Sequence, residues 1–426
     1  MKLRVHPGSR FLQQEDGRPF FYLADTAWEL LHRATLAEAD EYFADRAAKG
    51  FNVVQTVALA ELDGVGTPNA LGDLPLLERD VTRPHEPYWR HVDALLAAAN
   101  RHGLTVALLP TWGSHWCSPL EQGGLFHQEN ARAYGRWLGR RYRETGLIWV
   151  LGGDRAIETP EQAAIIRAMA EGLAEGDGGA HLRTFHPRGN MSSSQLVHAE
   201  PWLDFHMIQS GHSRARDNGA MISRDHALMP RRPVLDGEPG YEDHGDEFDP
   251  HHGWLDAHDV RRSCYVSLFS GACGFTYGCH PIWQWWAEGR APITWVRRDW
   301  RAALALPGSA QVGHARRLLE SRPYFGRVPD QSFVIQAPAA LHPMDRPRAT
   351  RDVGGAYALV YLPLGQWVDL NLARIGSADT WRVSWFDPRT GASTDAGRVP
   401  TATHATFRPP PPAPDGRDWV LVLDAA

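Results

Sequence analysis

Eight short, almost unbroken apolar runs constrain this chain more than any other feature. They are FFYLAD (20–25), FNVVQTVAL (51–59), LTVALLPTW (104–112), LIWVLGGD (147–154), LRTFHP (182–187), DFHMIQSG (204–211), PVLDGE (233–238) and GFTYG (274–278). A strand with one wet face alternates apolar and polar residues, whereas a strand covered on both faces need not. The runs are therefore expected to be parallel strands buried between helices. Helical patterns do separate them. TLAEADEYFADRAAKG (35–50) opens on Thr35 and Glu38, the spacing of a capping box, and stops at Gly50. PYWRHVDALLAAANRHG (87–103) runs from a proline to a glycine, and NARAYGRWLGRRYRE (130–144) carries Tyr134, Trp137, Leu138 and Tyr142 as an apolar stripe. Further helices are expected over 159–179 and 256–272. Eight strands with helical crossovers predict a closed (β/α)8 TIM barrel, class α/β. The alternative is an open doubly wound sheet. No Gly-x-Gly-x-x-Gly follows the first run, which weighs against its dinucleotide-binding version.

The pattern changes near residue 330. SFVIQAP, YALVYLPLGQWVDLNL, WRVSWFDPRTG, ATFRPP and WVLVLDA are short strand-like runs separated by Gly, Pro and Asp-Gly signals. The reading is a barrel over 1–330 followed by a small all-β, sandwich-like domain over 331–426, with RPPPPAPDGRD (408–418) as a polyproline loop.

Charge and cysteine usage exclude several roles. The net charge is -6 and no Lys/Arg block offers itself to a phosphate backbone, so no nucleic-acid partner is expected. The first twenty residues lack the apolar core of a signal peptide, and no apolar run reaches membrane-spanning length. Cys117, Cys264, Cys273 and Cys279 form no Cys-x-x-Cys pair, so reduced thiols and a cytoplasmic location are expected. The 17 tryptophans point towards sugar: a flat apolar ring with one N–H suits the C–H face of a pyranose or furanose, although a Trp-rich core accounts for many of them.

In a barrel, chemistry gathers at the C-terminal ends of the strands. Here the runs end in Asp25, in Trp112 with His115 and Trp116, in Asp154, in His186, in Gln209 and His212, and in Glu238; His280 and Trp283 follow the eighth. Asp25, Trp112, His115, Trp116, His186, Gln209, His212, His280 and Trp283 are accordingly expected to bind substrate. By strand alternation Val234, Asp236 and Glu238 share a face, which would set Asp236 one layer below a Glu238 pointing at the mouth. The glycines before Asp154 permit an unusual turn and the close approach of a ligand there; the plainer alternative for Asp154 is a helix cap or ion-pair partner. Two acids on separate strand ends can face each other across a cleft, as glycoside hydrolysis requires. No His-Glu-x-x-His or cysteine cluster calls for a metal, and no cofactor is expected; EDHGDEFDPHHGW (242–254) is read as a polar loop over the site. A glycan-binding barrel without catalysis and a metal-dependent sugar isomerase or lyase remain as alternatives.

Long ordered stretches of the chain resemble the apiosidase-like glycoside hydrolases. They are 23–61, LLPTWGSHW (108–116), IWVLGGDR (148–155), TFHPRG (184–189), DFHMIQSGH (204–212), VLDGEPGYED (234–243) and GFTYGCHPIWQ (274–284). The resemblance implies a TIM barrel followed by a β-sandwich of the type labelled collagen-binding. It also implies a retaining hydrolase with Asp154 as general acid/base and Glu238 as nucleophile. The implied substrates are plant-derived oligosaccharides or small glycosides, apiose-containing ones among them.

Overall fold

The computed structural model describes residues 2–62, 64–340, 342–411 and 417–426. All eight apolar runs are strands: β1 (Tyr22–Thr26), β2 (Val53–Val57), β3 (Thr105–Leu109), β4 (Leu147–Gly152), β5 (Arg183–His186), β6 (His206–Gln209), β7 (Val234–Asp236) and β8 (Gly274–Tyr277). Parallel ladders link them in the order β5-β4-β3-β2-β1-β8-β7-β6. The barrel closes between β5 and β6 through side chains as much as backbone. Asp204 N–H donates to Arg183 O (2.9 Å), Arg183 N–H to the Asp204 carboxylate (2.7 Å), and Thr184 Oγ1 to Phe205 O (2.7 Å). At the mouth the seam is wedged apart by Met191–Ser192, which pairs antiparallel with β6.

The expected cap at Thr35 is formed, and two further helices are capped in the same way. Thr35 accepts from the N–H of Glu38, whose carboxylate returns a bond to Thr35 N–H, and helix Leu36–Ala48 follows. Thr159 and Gln162 form the same reciprocal pair before helix Pro160–Asp177, and Asp256 caps helix Ala257–Phe269. Two helices that the pattern did not single out, Asn218–His226 and Pro307–Glu320, complete the outer layer. Among the described residues no helix is long and apolar enough to cross a membrane.

The C-terminal part is two antiparallel sheets. The larger runs Arg327–Pro329, Arg348–Asp352, Tyr357–Leu362, Trp419–Ala425, Thr380–Phe386, Ser393–Pro400; the smaller joins Val334–Gln336, Val368–Leu370 and Ala405–Phe407. Strand Tyr357–Leu362 is buried on both faces with period two. Ala358, Val360 and Leu362 enter the core between the sheets, while Tyr357, Leu359 and Tyr361 join the barrel's own core. Arg261, on helix Ala257–Phe269, forms a fully buried fork with Asp418 (2.8 and 3.0 Å) across this contact. Part of the expected polyproline loop, 412–416, lies outside the described residues.

Partners across a parallel ladder share a face, which fixes which way each strand residue points. Tyr22, Gln55, Ala107, Thr184 and Leu235 fall on the inner face; Leu23, Asp25, Trp149, Asp236 and Phe275 fall on the outer one. Asp25 therefore does not reach the mouth, contrary to the sequence expectation. It is fully buried against helix Leu36–Ala48, where it accepts from Tyr42 OH (2.8 Å) and pairs with the fully buried Arg46. Removing one member strands the other charge in the interior. Asp25→Ala should thus cost about 3–5 kcal/mol of stability in chemical denaturation, without lowering turnover per folded molecule.

Candidate active site

Glu238 stands two residues beyond the end of β7, and its position depends on a break in alternation. Asp236 points outwards, accepting from Ser210 Oγ (2.7 Å) and Asn218 Nδ2 (3.1 Å), so it is not a layer beneath Glu238 as the parity argument expected. Continued alternation would turn Glu238 outwards too. The strand stops instead at Asp236, and Gly237 packs so closely on Met207 that an added Cβ would lie 2.4 Å from its Cγ. Gly237 O accepts from Gln55 Nε2 in the barrel interior (3.0 Å), and past this point the Glu238 side chain enters the mouth.

There Glu238 meets two imidazoles. His186 accepts the N–H of Asp154 on Nδ1 (3.2 Å), which leaves its ring hydrogen on Nε2, 2.9 Å from Glu238 Oε2. His212 Nε2 lies 3.2 Å from Oε1. Burial alone would raise the Glu238 pKa; the two imidazoles outweigh it and hold the carboxyl at about 2. Glu238 is therefore ionised throughout the neutral range.

Asp154 follows a turn that only glycines allow. Gly152 and Gly153 have φ of 92° and 106°, and a Cβ on Gly152 would lie 2.4 Å from His186 O. Asp154 itself is left-handed at φ 54°, an uncommon conformation for a residue with a side chain. Its carboxyl is one-third exposed and 3.0 Å from Arg155 Nη1. Burial raises its pKa first and the negative charge of Glu238 second, against the opposing pull of His186, a hydrogen bond from Gln209, and Arg155. The two acids thus sit within electrostatic reach, with proton affinities driven in opposite directions.

Both line a cavity of about 410 Å³ at the C-terminal mouth of the barrel. Of the residues expected from sequence, Trp112, Gln209, His212, His280 and Trp283 share it. Trp283 Nε1 donates to His280 Nδ1 (3.1 Å), whose Nε2 bonds Ile293 O (3.1 Å); burial and His212 lower the His280 pKa to about 3, so that ring is a neutral strut for the wall. Trp285 is core, stacked on Trp300 at 4.3 Å. The other expected binders do not line the cavity. His186 is fully buried and reaches substrate space only through Glu238. Trp116 is buried behind the wall, its Nε1 donating to Gly152 O (2.8 Å), because Gly113–Cys117 is helical and turns that ring away. His115 points at Ala60 O (3.1 Å).

The sequence reading missed Trp28, Glu61, Arg216, Tyr241 and Phe248, all of which line the cavity. Trp28 lies 5.4 Å from Trp112, and Tyr241 4.3 Å from His212, ring centre to ring centre. Tyr241 belongs to the acid-rich stretch after β7, and Phe248 to the loop expected to cover the site. Within that loop Asp243 is tied to Arg297 and Arg298, which draws in the segment that brings Ile293 and Thr294 to the wall. Among the described residues, one group with metal-ligand spacing exists, Asp256, His258 and Asp259. It lies outside this cavity, and Asp256 there caps a helix.

Comparison with known proteins bears on the family and the fold. Residues 6–326 match the family model described as "Apiosidase-like, catalytic domain", and 328–424 match "Putative collagen-binding domain of a collagenase". Similar solved structures include one named "Glycoside hydrolase" (31% identity, TM-score 0.91, covering 100% of this chain and 97% of that one). Another is a glycoside hydrolase family 5 protein from Bacteroides vulgatus (31%, 0.91, 99% and 93%). A family 5 enzyme from Streptomyces cattleya, in complex with GlcNAc, shares the fold at 15% identity (TM-score 0.52, 70% and 80%). No match was found among curated proteins. The matched barrel model spans most of the chain, and with it the chain belongs to the apiosidase-like family of glycoside hydrolases.

Proposed function

We propose that the enzyme is a retaining, exo-acting hydrolase of small glycosides or oligosaccharide ends, with Asp154 as acid/base and Glu238 as nucleophile. One observation carries this: two carboxyls on separate strand ends line a single cavity, and their surroundings drive one to hold a proton and the other to lose it. In the first step Asp154 donates its proton to the leaving oxygen while Glu238 attacks the anomeric carbon. The carbon–oxygen bond to the aglycone breaks and a glycosyl ester forms on Glu238. Asp154, now ionised, removes a proton from water, which attacks the same carbon, and Glu238 leaves as the carboxylate.

The cavity's size supports an exo mode. At about 410 Å³ it lies near the lower end for small-molecule sites, and the segments carrying His212–Arg216, His244–Phe248 and Ile293–Thr294 wall it in. Its polar groups suit a polyol. Trp112 Nε1, Gln209 Oε1 and His212 Nδ1 are buried without partners among the described residues, an indole donor, an amide acceptor and an imidazole nitrogen beside the acids. Buried polar atoms normally have partners, and sugar hydroxyls both donate and accept. The family match makes terminal apiose of plant glycosides the first sugar to try.

Glu238→Ala should fold and lose turnover of every glycoside, while Asp154→Ala should lose about 10²–10⁴-fold on poor leaving groups and least on activated aryl glycosides. NMR of the first-formed anomer checks the stereochemistry; inversion rejects the nucleophilic role of Glu238. The pH profile follows from the signs. Glu238 must be ionised and is held at about 2, so kcat/KM should stay level well into acid and fall on the alkaline side as Asp154 loses its proton. His212→Ala removes one of the groups that oppose burial. Its acid limb should move up in pH while the alkaline limb stays, measured as kcat/KM against pH.

A further inference from the structure

The mechanism above leaves two cavity carboxyls unused, the exposed Glu247 and the more enclosed Glu61. Glu61 lies in the loop after β2 and shares the cavity with Asp154 and Glu238. The loop is not free to place it elsewhere. Trp112 N–H donates to Leu59 O (3.1 Å), His115 Nε2 lies 3.1 Å from Ala60 O, and Leu62 N–H donates to Glu29 Oε1 (3.0 Å). Three bonds from two other segments fix the backbone on both sides of Glu61. The last anchor is a fully buried carboxyl, with Arg33 3.6 Å away as its counter-charge. His115 and Glu29, which do not line the cavity, thus act on it by holding Glu61 in position.

The charges around Glu61 decide its form. Behind it is Glu29; Asp154 and Glu238 face it in the cavity, and Arg155 is its nearby cation. His115 beneath the loop is kept neutral by its own burial. Burial first, then repulsion from Glu29, Asp154 and Glu238, push the Glu61 pKa up to about 8, against the pull of Arg155. With Glu238 ionised, a second bare carboxylate on this wall is disfavoured. A neutral carboxyl has one O–H donor and one carbonyl acceptor, the complement of a sugar hydroxyl.

We propose that Glu61 is a substrate-binding acid: as the neutral carboxyl it donates a hydrogen bond to a hydroxyl of the sugar unit held between Asp154 and Glu238, and accepts one through its carbonyl oxygen. This rests on the Asp154/Glu238 reading and adds to it a recognition group that neither acid supplies. Its chemistry is specific in one respect. An amide reproduces both bonds, whereas a methyl group reproduces neither.

The test uses Glu61→Gln and Glu61→Ala in the full chain with 4-nitrophenyl glycosides of pentoses and hexoses, apiosides included. Circular dichroism confirms folding. Near neutral pH, Glu61→Gln should keep kcat/KM close to the parent, and Glu61→Ala should lose about 10- to 100-fold, mostly through KM. In protein labelled with 13C at the glutamate carboxyl, one resonance should titrate above neutrality and be missing from Glu61→Gln. The proposal is overturned if Glu61→Ala keeps the parent's kcat/KM, if Glu61→Gln is as impaired as Glu61→Ala, or if no such resonance titrates. Failure of the underlying reading shows separately, as turnover by Glu238→Ala.

Discussion

A carboxylate kept ionised inside the barrel mouth is the constraint on which the rest of the site depends. Removing a charge from water is unfavourable unless groups nearby replace the lost hydration. For Glu238 those groups are two imidazoles, His212, packed against the rings of Tyr241 and His244, and His186. His186 is held by the Asp154 N–H, so a single ring ties the backbone of one acid to the carboxylate of the other. That bond needs the left-handed turn over Gly152, Gly153 and Asp154, and the turn brings Gly152 against the end of β5. The ends of β4, β5 and β7 are thereby coupled through a few atoms, and His212 brings in β6.

The sequence was most legible where packing is most repetitive. Strands covered on both faces read as apolar runs, and the helix after the first of them carries the cap that local hydrogen bonding requires, at Thr35. The rim was legible by the same logic, since a polar residue ending an apolar strand has few reasons to be there. What failed was orientation. Asp25 is the last acid of its run and still faces the helices, because its ladder partners put it on the outer face. Glu238 faces the mouth because the chain leaves the sheet at Asp236, and one-dimensional alternation does not record where a strand stops. Trp116 was lost to a short helix that rotates it behind the wall. Glu61 illustrates a different gap. The rim rule gave every strand a polar candidate except β2, and the loop after β2, ALAELDG, held an acid. Four residues beyond the strand, Glu61 does not read as a strand end.

The C-terminal sandwich is not an independent appendage. One face of its larger sheet completes the core outside the barrel helices, with Tyr361 stacked on Tyr265 at 4.8 Å. Arg327 donates to the carbonyls of Leu268 and Ala272, at the end of the helix that leads into β8. The segment after β8 carries His280 and Trp283, so the sandwich braces the support of one cavity wall, while none of its described residues lines the cavity.

The wedge between β5 and β6 gives the barrel an adjustable side. The other seven junctions are continuous parallel ladders, so widening any of them would break a row of backbone bonds. At the seam, the mouth is spaced by the 187–193 segment, whose Gly189 and Asn190 form part of the cavity wall and whose Met191 and Ser192 grip the free edge of β6. Insertions or deletions in that segment would resize the pocket and leave the remaining circumference in register. A change in the sugar accepted has a structurally inexpensive route there: a spacer of adjustable length set into an otherwise continuous ring of ladders.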